Sequence, residues 1–170
     1  MTASTDILID AFGRIRDGLR RTVRDLDEAQ LSTRIEQGSN SIAWLLWHLS
    51  RVQDDHLADA MGTEQVWTAG GWARRFALPF PDDATGYGQS DEEVAAVRNV
   101  SGALLADYHD AVSGATIGYL EGLTDDDLDR IVDRNWNPPV TLAVRLVSVI
   151  SDDLQHLGQA GFLRGIVSRR

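Results

Sequence analysis

Two residues near the C-terminus have the types and the spacing that a metal site requires. Asp152 and His156 lie four residues apart in the segment S-D-D-L-Q-H-L-G-Q. In an α-helix, side chains at this spacing stand one above the other on the same face. A carboxylate and an imidazole in that arrangement can bind one divalent cation together. A third ligand has to come from another part of the chain.

Among the other histidines, His48 is the best candidate for that third ligand, because it lies in the most apolar predicted helix, in W-L-L-W-H-L. His56 follows eight residues later, which is about 12 Å along a helix, so the two cannot share an ion whose bonds to nitrogen are about 2 Å. We expect Asp55 and His56 to face solvent or the mouth of the bundle. His109 has acidic neighbours and no paired ligand, so we interpret it as structural. The alternative for each histidine is an ordinary hydrogen-bonded core or boundary residue.

Composition excludes several classes of function. The 170 residues include 16 Lys and Arg against 26 Asp and Glu, for a net charge of −10. This argues against nucleic acid or an anionic membrane as a partner, since both attract basic surfaces. The chain has no cysteine, which excludes disulfides, cysteine-ligated zinc and a protein thiol nucleophile. No signal peptide or membrane span is predicted, so the expected location is the cytoplasm.

Apolar residues recur at helical spacing in four long segments, and no segment shows a convincing strand pattern. The predicted helices run from Asp6 to about Leu26, from Ser39 or Asn40 to about Met61, from Asp91 to Gly122, and from Thr141 to about Val167. These elements predict an all-α fold, an antiparallel four-helix bundle, in one domain over residues 1–170.

Helix-capping residues mark the predicted starts. The candidates, from the first helix to the last, are Ser4 or Thr5, Ser39 or Asn40, the pair Ser90 and Glu93, and Thr141. A further short helix is predicted from Thr124 to about Val132, before W-N-P-P at 136–139 breaks the chain.

A long insertion, Thr63 to Ser90, separates the second and third predicted helices. It is rich in glycine, proline and large aromatic residues, and long loops inside compact domains are commonly functional. We expect it to fold back onto the bundle. Its residues Trp72, Arg74, Arg75 and Tyr87 are candidates for binding the polar part of a cofactor or an anionic substrate, and anchoring of the loop is the alternative role.

The last helix carries further signs of a site. Asp152 and Asp153 interrupt the run L-A-V-R-L-V-S-V-I, which otherwise reads as core. A buried carboxylate there costs several kcal/mol unless it is paired or bound to a metal. We expect Gly158 and Gly161 to let a neighbouring helix approach closely.

Two motifs give the chain a family resemblance. The segments N-S-I-A-W-L-L-W-H-L-S-R-V-Q-D-D-H and D-D-L-Q-H-L-G-Q-A-G-F-L-R-G resemble the DinB-like superfamily, close to the actinobacterial members related to mycothiol-dependent S-transferases and maleylpyruvate isomerase. The insertion G-W-A-R-R-F-A-L-P-F-P resembles the same group. The resemblance implies a four-helix bundle that binds a divalent metal through three histidines. Here they correspond to His48, position 152 and His156, and this chain differs in carrying Asp152.

The resemblance also implies an activity. Members of the family use a low-molecular-weight thiol as the second substrate, so we expect a metal-dependent transferase that conjugates a thiol, mycothiol first, to an electrophile. Zinc is the expected metal, with nickel, manganese or iron as alternatives, and a homodimer is possible. The alternatives are a thiol-dependent isomerase, a metal hydrolase, or a bundle that binds a metal or small molecule without turnover, as in a stress response. Asp152 puts the metal's identity in question more than the fold.

Overall fold

Helices dominate the computed structural model, which describes residues 2–169. The elements in chain order are α1 (Ala3–Val23), α2 (Glu28–Ser32), α3 (Ile42–Met61), α4 (Val66–Ala69), α5 (Trp72–Phe76), α6 (Asp91–Ala96), α7 (Gly102–Glu121), β1 (Ile131–Asp133), β2 (Val140–Thr141) and α8 (Leu142–Val167). The four long helices α1, α3, α7 and α8 form a bundle, so the predicted all-α class is confirmed. Within residues 2–169, no helix combines the length with the hydropathy that a membrane span requires.

The first helix begins earlier than its apolar pattern predicted. Thr2 is the N-cap: its Oγ1 accepts a hydrogen bond from the Thr5 backbone N–H, and its own N–H donates to Thr5 Oγ1 at 2.9 Å. The predicted caps Ser4 and Thr5 are therefore wrong, since both lie inside α1. A reciprocal pair of threonines satisfies two backbone groups at once, which favours the earlier start.

Of the other predicted caps, one is wrong and two are confirmed. Ser41, rather than the predicted Ser39 or Asn40, caps α3 by accepting from the Trp44 N–H at 3.1 Å. The capping box of Ser90 with Glu93 is confirmed at the start of α6, and Thr141 is confirmed at the start of α8. Predictions from residue type alone do not distinguish neighbouring polar residues that could each cap.

The prediction of one continuous third helix is wrong. It breaks into α6 and α7, because Val97 ends α6 and Asn99 takes a left-handed conformation with φ 57°. Ser101 then caps a new helix by accepting from the Leu104 N–H at 3.1 Å. The apolar spacing continues across the break because Val97 and Val100 are both buried in the same core, which made the two helices look like one.

The segment after α7 also differs from the prediction. In place of a short α-helix there is one 3₁₀ turn at Asp126–Asp129, followed by the strand β1. The expectation of no strands is wrong in detail, since β1 pairs with β2 in a small antiparallel sheet on either side of W-N-P-P. Strands this short have too few residues to show an alternating pattern.

Two neighbouring helix pairs in the bundle are antiparallel. At the end of α1, Val23 packs against Gly102 at the start of α7. On the other side of the bundle, His56 near the end of α3 contacts Arg145 near the start of α8. The pairing of α3 with α8 is the one that positions the predicted metal ligands.

The pair α3 and α7 is parallel. Ser50 contacts His109, and Gln53, one turn later, donates a hydrogen bond to Thr116 at 2.7 Å. Two helices in sequence can run parallel only if the chain returns along the bundle between them. The connection over residues 62–101, which contains the insertion, makes this return and passes beside α3 on its way.

The interior has two apolar clusters with polar residues between them. One cluster surrounds Trp44, Trp47 and Tyr108, and the other surrounds Phe12, Leu57 and Leu146. The buried polar side chains at the middle of the bundle are His48, Ser50, Arg51, Gln53, Asp54, His109, Ser113, Thr116 and Asp153. A buried polar layer of this kind destabilises the fold unless its groups are paired with one another or bind a ligand.

The insertion folds back onto the bundle, as predicted. Trp67, Trp72 and Phe76 are buried, and each ring lies within 5.7 Å of the Tyr108 ring, measured between centroids. Burial of such large aromatic surfaces stabilises the insertion against α3 and α7.

Candidate metal centre

The structure brings His48, Asp152 and His156 together. Each residue offers one ligand atom, and these three atoms all lie within 4.8 Å of one another. His156 Nε2 is 3.6 Å from Asp152 Oδ1, and the rings of His48 and His156 are 4.9 Å apart between centroids. The cluster forms where the middle of α3 crosses the middle of α8, so the helical spacing of 152 and 156 and the antiparallel pairing of α3 with α8 are both needed.

Hydrogen bonds leave the Nε2 atom of both histidines available. His48 Nδ1 lies 2.5 Å from the carbonyl oxygen of Thr85, and a carbonyl can only accept, so the proton must be on Nδ1. His156 Nδ1 lies 3.1 Å from Gln159 Oε1, an acceptor that pairs with a proton on Nδ1. A backbone or side-chain oxygen on the distal nitrogen is the usual support of a metal-binding histidine.

The carboxylate of Asp152 also has an open position. Its Oδ2 is buried and has no hydrogen-bond partner among residues 2–169, an arrangement that is costly without a cation or other donor nearby. Burial lowers the pKa of His48, which keeps its imidazole neutral and able to donate a lone pair. Two imidazoles and one carboxylate with open lone pairs therefore fit a divalent cation.

The neighbouring Asp153, rather than Asp152, is the carboxyl group that the core encloses. Asp153 is fully buried and neither of its oxygens has a hydrogen-bond partner in the described chain, whereas Asp152 is half-buried. Burial, together with the charge of Asp152, raises the pKa of Asp153 well above its usual value. The neutral acid is the form that such surroundings favour.

The expected close approach at Gly158 and Gly161 is wrong. A Cβ atom at either position would meet nothing within 4 Å, and both residues are exposed. The close contact of α8 with another helix is instead at Gly18 of α1, where a Cβ would lie 2.6 Å from Leu157 Cδ2. Small residues on a helix indicate close packing only when they face a neighbour, which sequence alone does not reveal.

Two residues that the sequence analysis missed form the walls around His48. Trp44 stacks on the imidazole, with 4.6 Å between ring centroids and 17° between planes. Gly86 has φ +97°, and a Cβ there would lie 2.7 Å from His48 Nδ1. Trp44 stands one turn before His48 on the same face, so helical spacing could have identified it. Gly86 carries no comparable signal, because its contact depends on how the insertion folds.

The centre borders a cavity of about 490 Å³. Besides His48 and Asp152, its walls include Asp55, His56, Tyr87 and Trp136. Tyr87 and Trp136 are 94% and 67% exposed, so two aromatic rings stand at the opening. No pattern in the sequence points to Trp136, which reaches the cavity through the β1–β2 hairpin.

The four candidate cofactor-binding residues on the insertion lie in different places. Of these, only Tyr87 lines the cavity. Trp72 is buried in the aromatic cluster, and the Arg75 guanidinium lies 4.4 Å above its ring. Arg74 is exposed and borders a separate depression with Asp82. The contacts of Trp72 and Arg75 fit the alternative role of anchoring the loop.

His109 lies in the bundle interior, away from the predicted ligand cluster. It is fully buried, and its Nδ1 is 3.0 Å from Ser50 Oγ. Ser50 uses its proton on the Leu46 carbonyl at 2.7 Å, so Ser50 Oγ accepts from the His109 Nδ1–H. Burial lowers the pKa of His109 to about 4. These contacts agree with a structural role.

The fold and the cluster together define a helical bundle with a two-histidine, one-carboxylate centre at the wall of a cavity. The sequence matches the family described as mycothiol S-transferase over residues 7–168, and the chain belongs to that family. This is a DinB-like family, so the resemblance in the two histidine motifs is confirmed.

The fold also occurs in a solved structure. The chain is similar to a crystal structure described as the conserved protein of locus from Enterococcus faecalis, with a TM-score of 0.91 and 31% sequence identity. The alignment covers 100% of this chain and 99% of that one. None of the curated proteins matches the sequence.

Proposed function

We propose that the protein is a metal-dependent transferase that conjugates a low-molecular-weight thiol to an electrophile, with the metal held by His48, Asp152 and His156. The observation that carries the proposal is the convergence of three open lone pairs at the wall of a cavity. Membership of the mycothiol S-transferase family supports mycothiol as the thiol. The absence of cysteine from the chain requires that the nucleophilic sulfur comes from a substrate.

A divalent cation held at this position would supply the charge that stabilises a thiol as its thiolate at neutral pH. The residues of the chain determine the geometry. Thr85 and Gln159 hold the two imidazoles with their Nε2 atoms free, and Trp44 packs against the ring of His48. Three protein ligands leave a coordination position for a substrate, which is typical of catalytic rather than structural sites.

The cavity beside the centre would hold both substrates. Tyr87 and Trp136 offer exposed aromatic surface at its opening, which suits the apolar part of an electrophile or the body of a thiol. Asp55 and His56 supply polar groups further along α3. Zinc is the metal we expect first, because it accepts histidine and carboxylate ligands in tetrahedral sites. The homodimer stays a prediction that sedimentation of the purified protein tests.

Metal analysis of the purified protein tests the proposal first. We expect about one equivalent of divalent metal per chain in the wild type, as for a three-ligand site, and little in His156→Ala. Gln155→Ala is the matched control, since Gln155 lies on the same turn of α8 but is exposed, and it should keep the metal.

Thiol-transfer assays follow with the metal-loaded and chelator-treated protein. Formation of a thioether from mycothiol and an electrophile, lost on chelation and in His156→Ala, supports the transferase. Isomerisation without a stable thioether product favours the thiol-dependent isomerase. Metal binding without turnover favours a binding role. No metal in the wild type, even after reconstitution with zinc, nickel or manganese, contradicts the proposal.

A further inference from the structure

A second polar chain reaches the same cavity from α8. Arg145 Nη2 donates to Asp133 Oδ2 at 3.0 Å, and Arg145 Nη1 lies 2.8 Å from His56 Nδ1. The side chains of Arg145 and Asp133 are only 14% and 17% exposed, so solvent screens this ion pair less than a surface pair. Asp133 therefore holds the guanidinium, and the guanidinium in turn holds one edge of the His56 ring.

This contact determines where His56 carries its proton. A guanidinium has N–H donors and no acceptor, so His56 Nδ1 has to offer its lone pair to Arg145. The neutral ring must then carry its proton on Nε2. Burial, followed by the charge of Arg145, lowers the pKa of His56, which favours that neutral form.

The acidic groups around His56 do not reverse this assignment. Asp55, Asp59 and Asp152 favour the charged ring, but their effects rank below those of burial and Arg145. The nearest, Asp55 Oδ2, is 3.9 Å from His56 Nδ1, and Asp55 Oδ1 accepts from Gln65 Nε2 at 2.7 Å.

No protein group among residues 2–169 accepts from the Nε2–H of His56, whose side chain is 38% exposed towards the cavity. Within the described chain, the hydrogen bonds of His56 include none from Nε2, and the ring lines the cavity that His48 and Asp152 also line. The eight residues between His48 and His56 correspond to about 12 Å along α3. A small electrophile can lie in this space, with its reacting carbon towards the metal centre and a hydrogen-bond acceptor towards His56.

We infer that His56, positioned by Arg145 and Asp133, donates its Nε2–H to an oxygen of the electrophile on which negative charge develops during thiol addition. The inference rests on the proposed transferase function and adds a substrate class to it: electrophiles such as epoxides or α,β-unsaturated carbonyls, rather than alkyl halides. With an epoxide, the sulfur–carbon bond forms as the carbon–oxygen bond breaks. The oxygen keeps the bonding electron pair, accepts the hydrogen bond of His56, and takes its proton from water.

The tautomer of His56 can be measured without turnover. Long-range ¹H–¹⁵N spectra of the protein labelled at histidine distinguish Nε2–H from Nδ1–H and from the charged ring. We expect the Nε2–H form for His56 at neutral pH, and in Arg145→Met a mixture of tautomers with a higher pKa, because the donor to Nδ1 and its charge are both removed. A Nδ1–H or charged ring in the wild type at neutral pH overturns the inference.

Kinetics with two matched electrophiles test the substrate class. Styrene oxide and benzyl chloride are both benzylic, but only the first develops charge on oxygen. We expect His56→Phe to lower kcat/KM for styrene oxide about 100-fold, the usual loss for one oxyanion donor. Its effect on benzyl chloride should stay within about 3-fold, far below the loss of such a donor. His56→Gln should recover most of the activity on styrene oxide, since its amide can accept from Arg145 and donate from Nε2.

The outcomes separate the two proposals. Three outcomes overturn the role of His56 and leave the transferase intact. The wild type transfers thiol to benzyl chloride but not to styrene oxide, or His56→Phe loses both activities equally, or His56→Phe loses neither. A metal-loaded wild type that transfers thiol to neither electrophile contradicts the proposed function and overturns the inference with it. Gln155→Ala, at an exposed position of α8 and expected to keep the metal, is the control for nonspecific effects of Arg145→Met on α8.

Discussion

Helix α3 carries two buried polar clusters that differ in one respect. The first surrounds Arg51 and Asp54 and faces α7 and the insertion. The second is the candidate metal centre around His48, facing α8. They lie within one turn of each other, yet the first has its hydrogen bonds complete and the second does not.

In the first cluster every charged group is paired. The Asp54 carboxylate accepts from the backbone N–H groups of Val66 and Trp67, each at 2.8 Å, and from the Tyr108 hydroxyl at 2.8 Å. Arg51 Nη1 lies 3.6 Å from Asp54 Oδ2, with side chains 0% and 3% exposed. Burial, with the charge of Asp54 beside it, raises the pKa of Tyr108 well above its usual value. This cluster stabilises α4 and the insertion.

The same arginine also supports the candidate metal centre indirectly. Arg51 donates to the carbonyl oxygens of Ala84 at 3.0 Å and Asp82 at 3.3 Å. These bonds hold the loop that presents the Thr85 carbonyl to His48. The cluster whose hydrogen bonds are complete therefore helps to position the candidate centre, whose hydrogen bonds are not. The open lone pairs of that centre indicate a place for a ligand.

Substitution of one acid in each cluster gives the largest expected contrast. Asp54→Asn should lower the free energy of unfolding by about 3–5 kcal/mol, because it leaves the buried Arg51 charge without its counterion. Asp152→Asn should not lower the free energy of unfolding of the metal-free protein, because it removes the charge from a carboxylate whose Oδ2 is buried without a partner in the described chain, but it should abolish metal binding. Urea unfolding in the presence of chelator measures both. Equal destabilisation by the two variants would make Asp152 a structural residue.

The pH dependence of stability distinguishes the structural His109 from the two histidines of the candidate centre. The pKa of His109 is about 4 in the folded protein and about 6.5 when unfolded. The unfolded chain therefore binds the extra proton as pH falls between these values. The contribution of neutral His109 to the free energy of unfolding is fully present above pH 6.5 and is lost as the pH falls towards 4, a total of about 3 kcal/mol.

A variant isolates this effect from the carboxylates that titrate in the same range. Unfolding free energies of the metal-free wild type and His109→Gln should diverge at neutral pH and converge towards pH 4. Parallel plots of unfolding free energy against pH would show that His109 does not cause the loss of stability. Its buried Nε2, which has no partner in the described chain, would then accommodate a proton in the folded protein.

The smallest expected effect comes from the loop over His48. Gly86→Ala should weaken metal binding about 10- to 100-fold, the usual cost of disturbing a group that supports a ligand, because the new methyl group would meet His48 Nδ1. Gly88→Ala is the matched control: Gly88 also has a positive φ of +72°, but a Cβ there meets nothing within 4 Å. Competition with a chelator measures both affinities. Equal losses would attribute the effect to backbone strain alone.

Local patterns in the sequence were enough for several features. The apolar spacing predicted the long helices α1, α3 and α8 to within a few residues, since a helical face depends on neighbours three and four residues apart. The same periodicity identified Asp152 and His156 as one pair. The burial of His48 followed from its position in an apolar helix.

The sequence by itself determined three of the four long helices, the candidate pair of Asp152 and His156, and the family, because each depends on residues that are close in the chain or on motifs. Only the tertiary structure decided which sides of these helices meet. The break at Asn99, the parallel run of α3 and α7, the carbonyl of Thr85 on His48 and the pairing of Arg145 with His56 all depend on the path of the insertion and the hairpin. Such contacts join residues far apart in sequence, and side-chain periodicity carries no information about them.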